Sequence, residues 1–168
     1  MQEEFNELFH QLLEQNKQQI LRICAAYCKD ADEKKDLFQE VVINIWKSLP
    51  SFEGRAAAST WIYRITLNTC MRARMKSDKY QSNHLKLNSI HFETIHYDDS
   101  VDQHATQNQI NNMYRCIGQL KDMEKNIVLL YLEDLPYKEI ATITGVTENH
   151  VAVYMKRIKE KLLTCLKN

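Results

Sequence analysis

The chain has 168 residues, with 22 basic side chains against 22 acidic ones and a hydrophobic share of 44%, so it reads as a soluble globular protein and not a disordered polyelectrolyte. Three glycines and two prolines are too few for a turn-dense β fold, and the glycines are isolated, which excludes a Gly-rich phosphate loop. No apolar run approaches the roughly 20 residues of a membrane span, and Met-Gln-Glu-Glu at the start lacks the cationic region of a secretory signal, so neither insertion nor export is expected.

Phe5, Leu8, Phe9, Leu12 and Leu13 form the stripe of a half-buried helix, which Ile20, Ile23, Cys24 and Tyr27 continue. Asp30 or Asp32 is placed to cap a second helix carrying Leu37, Phe38, Val41, Val42, Ile45 and Trp46. It ends near Ser48-Leu49, because the residue before Pro50 disfavours helix. Its polar face holds Asp36, Gln39, Glu40 and Asn44. A loop through Phe52, Gly54 and Arg55 follows, and Ser59 or Thr60 is the predicted cap of a third helix from Trp61 to about Lys76. At 100° per residue, Arg64, Asn68 and Arg72 share an arc of roughly 80°. Aromatic residues beside such a cationic stripe suit unstacked bases; the alternative is that Trp61 and its apolar neighbours are core and the arginines merely solvated.

Residues 77–107 are rich in polar side chains, net −3, and show no sustained period, so they read as an interdomain linker. Four of the six histidines (His84, His91, His96 and His104) fall there without a ligand or nucleophile arrangement. Helical patterning resumes with Ile110, Met113, Tyr114 and Ile117, then with Ile127, Val128, Leu130 and Tyr131. The five cysteines fit a reducing cytoplasm and are expected to act as small apolar core residues. Cys24 and Cys28 lack the second Cys/His pair of a zinc site, so no metal is expected.

The segment 137–158 carries the most specific local pattern. A helix-turn-helix needs a small residue where its helices cross (Ala141), a residue tolerant of positive φ in the turn (Gly145), and an apolar anchor where the second helix returns (Val151). Ile140, Val146 and Ile158 fill further core positions, and Thr147 is the predicted cap of the second helix, which runs from Glu148 to about Cys165. That leaves Asn149, His150, Ala152, Val153, Lys156 and Arg157 facing a DNA major groove. Lys159 and Lys161 join the expected phosphate contacts. The basic segments 61–79 and 149–168, each net +4 in a neutral chain, point to two anion-binding surfaces, although helices also end in basic residues for dipole reasons.

Asp36-Leu-Phe-Gln-Glu-Val with Trp46, Leu49-Pro-Ser-Phe52, Thr60-Trp-Ile-Tyr-Arg-Ile with Asn68, and Leu135-Pro-Tyr-Lys-Glu-Ile-Ala together resemble the extracytoplasmic-function sigma factors of the bacterial sigma-70 family. The resemblance implies an all-α chain of two small helical domains, with region 2 a three-helix-type bundle over 1–76 and region 4 a helix-turn-helix domain over 108–168. It further implies that Asp36, Gln39, Glu40, Asn44 and Trp46 bind core RNA polymerase. Phe52, Trp61, Arg64, Asn68, Arg72, Arg74 and Lys76 would open and hold the promoter −10 element, and the second helix of the helix-turn-helix would read the −35 element. A non-enzymatic, cytoplasmic role, no cofactor and control by an anti-sigma factor are also implied. A conventional helix-turn-helix regulator accounts equally for 108–168 but leaves 52–76 unexplained, while a helical adaptor binding only protein needs neither basic segment.

Overall fold

The computed structural model describes the backbone of residues 1–81 and 103–168 and the side chains of residues 1–76 and 105–168. The described residues contain seven α-helices and no strand, divided between two compact units.

In the first unit α1 (Gln2–Tyr27) packs along α3 (Ala58–Gln81). The buried side of α1 carries Phe9, Leu12, Ile20, Ile23 and Cys24 at helical spacing. Asn16 interrupts that stripe but donates to the Leu12 carbonyl at 2.8 Å, which offsets the cost of burying its amide nitrogen. Leu8 is exposed, unlike the expectation, because the buried stripe is narrower than the apolar pattern. α2 (Ala31–Ser48) buries Leu37, Val41 and Ile45, with Asp32 and Glu33 suited to the positive end of its dipole. A single 3-10 turn over Leu49–Ser51 takes the chain past Pro50.

α3 starts at Ala58, with the Trp61 amide already donating to the Ala57 carbonyl at 3.1 Å. Ser59 and Thr60 therefore lie inside its first turn and do not precede it as caps. Ile62, Tyr63, Leu67 and Cys70 are buried, and the interleaved Thr66 and Thr69 hydroxyls donate to carbonyls one turn earlier at 2.8 and 2.7 Å. Cys24 and Cys70 meet in this core, where hydrogen bonding to Cys24 and burial push the Cys70 thiol well above its ordinary range.

The second unit holds α4 (Gln103–Gly118), α5 (Asp122–Leu132), α6 (Tyr137–Thr144) and α7 (Glu148–Lys167), with α7 packed on the other three. Ile117, Ile127, Leu130, Ile140, Val151, Met155 and Ile158 form its core. Tyr131, expected in the apolar stripe, is exposed and lies under the Lys159 ammonium at 5.5 Å. The Glu124 carboxylate accepts from the Lys121 amide at 3.3 Å and from Lys161 Nζ at 2.6 Å, linking the start of α5 to α7. Helix occupies both ends of the expected linker, through Gln81 and from Gln103; its middle, with His84, His91 and His96, lies outside the described residues. Cys116 and Cys165 form a disulfide between α4 and α7, so these two are a covalent pair and not the separate apolar side chains expected.

Candidate functional site

Three exposed surfaces follow from these helices. The first lies on α2, where Asp36, Gln39 and Glu40 are solvated, as a face opposite Leu37, Val41 and Ile45 requires. Asn44 departs from that face: its amide turns inward and donates to Thr69 Oγ1 at 3.0 Å, fastening α2 to α3. Trp46 sits edge-on to Phe5 at 4.8 Å and Phe9 at 4.9 Å, joining α2 to α1, yet 38% of it stays exposed. Ile43, absent from the sequence-based set, is 50% exposed and falls one helical turn from Gln39, Glu40 and Trp46. Its signal was available in the spacing, because Ile43 is seven residues after Asp36, two turns along one face. Phe5, Trp46, Lys47 and Pro50 line an open hollow beside this stripe.

The second surface runs from the loop after the 3-10 turn along α3. Phe52 is half-buried and its ring lies 4.8 Å from that of Trp61, tilted by 35°, so one face of each ring is engaged by the other. Gly54 makes the turn at φ +71°. Arg55 Nε and the Glu53 carboxylate pair at 2.8 Å, but both are largely exposed, so the pair contributes about 0–1 kcal/mol. Arg64, Asn68, Arg72 and Lys76 are exposed along α3, whereas Arg74 is half-buried. Met75 is 68% exposed and follows the Arg64–Asn68–Arg72 stripe by one turn, an apolar position that the sequence reading did not include. The surface therefore combines cations, an amide and an aromatic pair within one helix and its preceding loop.

The third surface is the helix-turn-helix of α6 and α7. Gly145 closes α6 in the left-handed region at φ +78°, its amide donating to the Ala141 carbonyl at 2.9 Å. A β-carbon there meets nothing within 4 Å, so conformation and not crowding selects glycine. Thr147 caps α7 by accepting from the His150 amide at 3.2 Å. Ala141, Ile140, Val151 and Ile158 are buried at the crossing; Val146 is only half-buried, since it lies in the turn itself. Asn149, His150, Ala152, Val153, Lys156 and Arg157 are all exposed on the first turns of α7, Val153 by 48%. Lys161 is bonded to Glu124 and Lys159 leans over Tyr131, so both have a partner within their own unit while remaining exposed. Among the described residues no group of three or more His, Cys, Asp or Glu is arranged to hold a metal ion. No helix among them is long and apolar enough to cross a membrane.

Two protein-family models match this chain. Residues 12–80 match the Sigma-70 region 2 family and residues 110–162 match Sigma-70, region 4. The RNA polymerase sigma factor YlaC of Bacillus subtilis is 26% identical over 90% of this chain and 87% of its own length. The RNA polymerase sigma-H factor of Pseudomonas aeruginosa is 29% identical over 80% of this chain and 74% of its own. The sigma factor RpoE of Bartonella quintana, solved in complex with the anti-sigma factor NepR, shares the fold with a TM-score of 0.72 at 19% identity, over 95% of this chain and 96% of that one. Two family matches in the order of the two helical units, with relatives spanning most of the chain, show that this protein belongs to the sigma-70 family as an RNA polymerase sigma factor of the extracytoplasmic-function type.

Proposed function

We propose that the three exposed surfaces divide the work of promoter recognition. The α2 stripe of Asp36, Gln39, Glu40 and Ile43, with the exposed edge of Trp46, docks on core RNA polymerase; Asn44 serves it by holding α2 in place. The surface of Phe52, Trp61, Arg64, Asn68, Arg72, Arg74 and Lys76 captures the opened −10 strand. Cations track a single-stranded backbone, and Asn68 has the donor and acceptor needed to read an unpaired base edge. The Phe52–Trp61 stack braces the loop and leaves the outer ring face for a base.

The exposed start of α7 reads the −35 duplex. Asn149 and His150 offer hydrogen bonds to base edges, Ala152 and Val153 offer apolar contact to thymine methyl groups, and Lys156 and Arg157 neutralise phosphates. The single observation that carries this reading is the capped, glycine-turned α6–α7 pair with its six predicted contact residues all exposed. A stand-alone regulator would share that pair but leaves the Phe52–Trp61 ring pair and the exposed Arg64, Asn68 and Arg72 of α3 unexplained. The protein acts in the cytoplasm, where polymerase works, and an anti-sigma factor covering the α2 stripe would silence it.

Transcription in vitro with purified core polymerase on a genomic fragment library, with start sites mapped, tests the reading. Start sites that depend on the added protein support it; none in the absence of any inhibitor refutes it. Asn68→Ala should impair permanganate-detected opening more than initial filter binding, and equal loss of both removes Asn68 from its assigned role.

A further inference from the structure

The disulfide lies within the second unit. Cys116 and Cys165 have Cα atoms 5.9 Å apart and stand 49 positions apart in sequence. That spacing accepts a disulfide without moving the backbone. The closed loop contains α5, α6 and α7 through Thr164, which is the whole helix-turn-helix. The two sulfurs differ in access: Cys116 is 1% exposed, whereas Cys165 is half-buried in the last turn of α7, 3.7 Å from Gln119 Oε1. Cys24 and Cys70 are fully buried in the first unit, and the Cys70 thiol is held protonated there, which makes it a poor nucleophile. A disulfide in a protein that acts on polymerase is uncommon, and in reducing compartments such bonds are usually transient and redox-sensing.

We propose that Cys116–Cys165 is a reversible redox site through which cellular thiols set the rigidity of the −35-reading module. The reductant is a protein dithiol and the oxidant a disulfide. In reduction, a thiolate of the dithiol attacks Cys165 Sγ; the Cys116–Cys165 bond breaks and its electron pair leaves on Cys116, which takes a proton. The second thiol of the reductant then attacks its own sulfur in the mixed disulfide and releases Cys165, which also takes a proton. Two electrons pass to the protein and the reductant ends as a disulfide; oxidation is the reverse. Reduction frees the last turn of α7, where Leu162 remains as the buried anchor and Leu163 is exposed. The module then opens more often, and −35 affinity falls with it. The thiol chemistry stands by itself; only the effect on promoter affinity rests on the proposed function.

The full chain, poised in mixtures of oxidised and reduced dithiothreitol, tests this by alkylation, peptide mass spectrometry and amide exchange. The Cys116 and Cys165 peptides should convert together in a two-electron step while Cys24 and Cys70 stay reduced. On reduction, amides of α6 and α7 should lose at least about tenfold of their exchange protection, and those of residues 1–76 should not change. Cys116→Ala treated with oxidised glutathione should take label on Cys165, and Cys165→Ala should leave Cys116 unlabelled. Failure of the two peptides to cross-link at any poise, conversion with no change in exchange, or preferential label on Cys116 overturns the proposal. The mapping on the native chain decides the matter even if a variant fails to fold. Promoter affinity is measured separately: conversion without an affinity change retracts only the coupling to DNA.

Discussion

Ile43 and Trp46 lie one helical turn apart on α2, and under the proposed function they carry different loads: Ile43 serves docking alone, whereas Trp46 also joins α2 to α1. Fully burying an isoleucine side chain stabilises by about 1.5–3 kcal/mol. Half of Ile43 is still exposed, so a docking partner gains about 1 kcal/mol by covering it. Ile43→Lys forfeits that gain and sets a cation against whatever complements Asp36 and Glu40, so polymerase affinity should fall about tenfold or more. Stability should stay within about 0.5 kcal/mol, as for other exposed positions. Trp46→Ala removes both edge-on contacts to α1, at 4.8 and 4.9 Å, and opens a cavity between the helices. Large aromatic-to-alanine changes in cores cost about 3–5 kcal/mol, and the exposed edge of Trp46 puts this one near the lower figure. Urea unfolding gives the stability change; competition against a labelled wild-type chain for core polymerase gives the affinity. If Ile43→Lys binds polymerase as tightly as the wild type, the α2 stripe is not the docking face. If Trp46→Ala is as stable as the wild type, the aromatic cluster does not hold α1 to α2.

Two further outcomes follow from local chemistry. Thr147→Ala removes the acceptor for the His150 amide and should destabilise the second unit by about 1 kcal/mol, with Thr147→Ser restoring most of it in thermal unfolding followed by circular dichroism; equal midpoints for the three proteins would remove the cap from the account. The raised Cys70 thiol makes the first unit alkali-sensitive: the unfolded thiol ionises near the ordinary value of 9.0 while the folded one stays protonated, so its stabilising contribution is full below that pH and is lost as pH rises towards the folded value. Urea midpoints read through Trp46 and Trp61, the two tryptophans of the chain and both in this unit, should fall with rising alkalinity, and Cys70→Ala should flatten the slope; an unchanged slope refutes the assignment.

The parts of this protein that were legible in sequence are those written in local chemistry. α6 ends and α7 begins as the residues between them require, because Gly145 and Thr147 act through bonds to residues three or four positions away. The exposed start of α7 followed from the same period that buries Val151 and Met155. What escaped depends on partners far along the chain. Asn44 looks like any polar surface residue until Thr69, 25 residues on, supplies its acceptor. Lys161 counts as one more basic residue of α7 until Glu124, 37 residues earlier, claims it. Cys116 and Cys165 are 49 residues apart, and no spacing rule pairs them. The start of α3 was misjudged for another reason: Ser59 and Thr60 have side chains suited to a cap, but the helix begins before them.

Each long-range contact that sequence reading missed fastens a functional helix to its own domain: Asn44 fixes α2, Lys161 fixes α7 against α5, and Cys165 fixes the end of α7 to α4. The Lys161–Glu124 ion pair balances one cation of the segment 149–168, so the charge this helix offers to an anion is less than its net +4. Fewer phosphate contacts mean a shallower salt dependence and weaker binding by either module alone. Rigid recognition helices with few contacts each are useful when a common scaffold holds both at once, because the second contact then forms at high effective concentration. A neutral chain built this way should ignore duplex DNA in the free state and bind promoters only with polymerase. Nanomolar, sequence-specific binding by the free protein in a gel-shift assay at physiological salt would show that α7 carries the affinity by itself, and the division between fastening and reading would have to be redrawn.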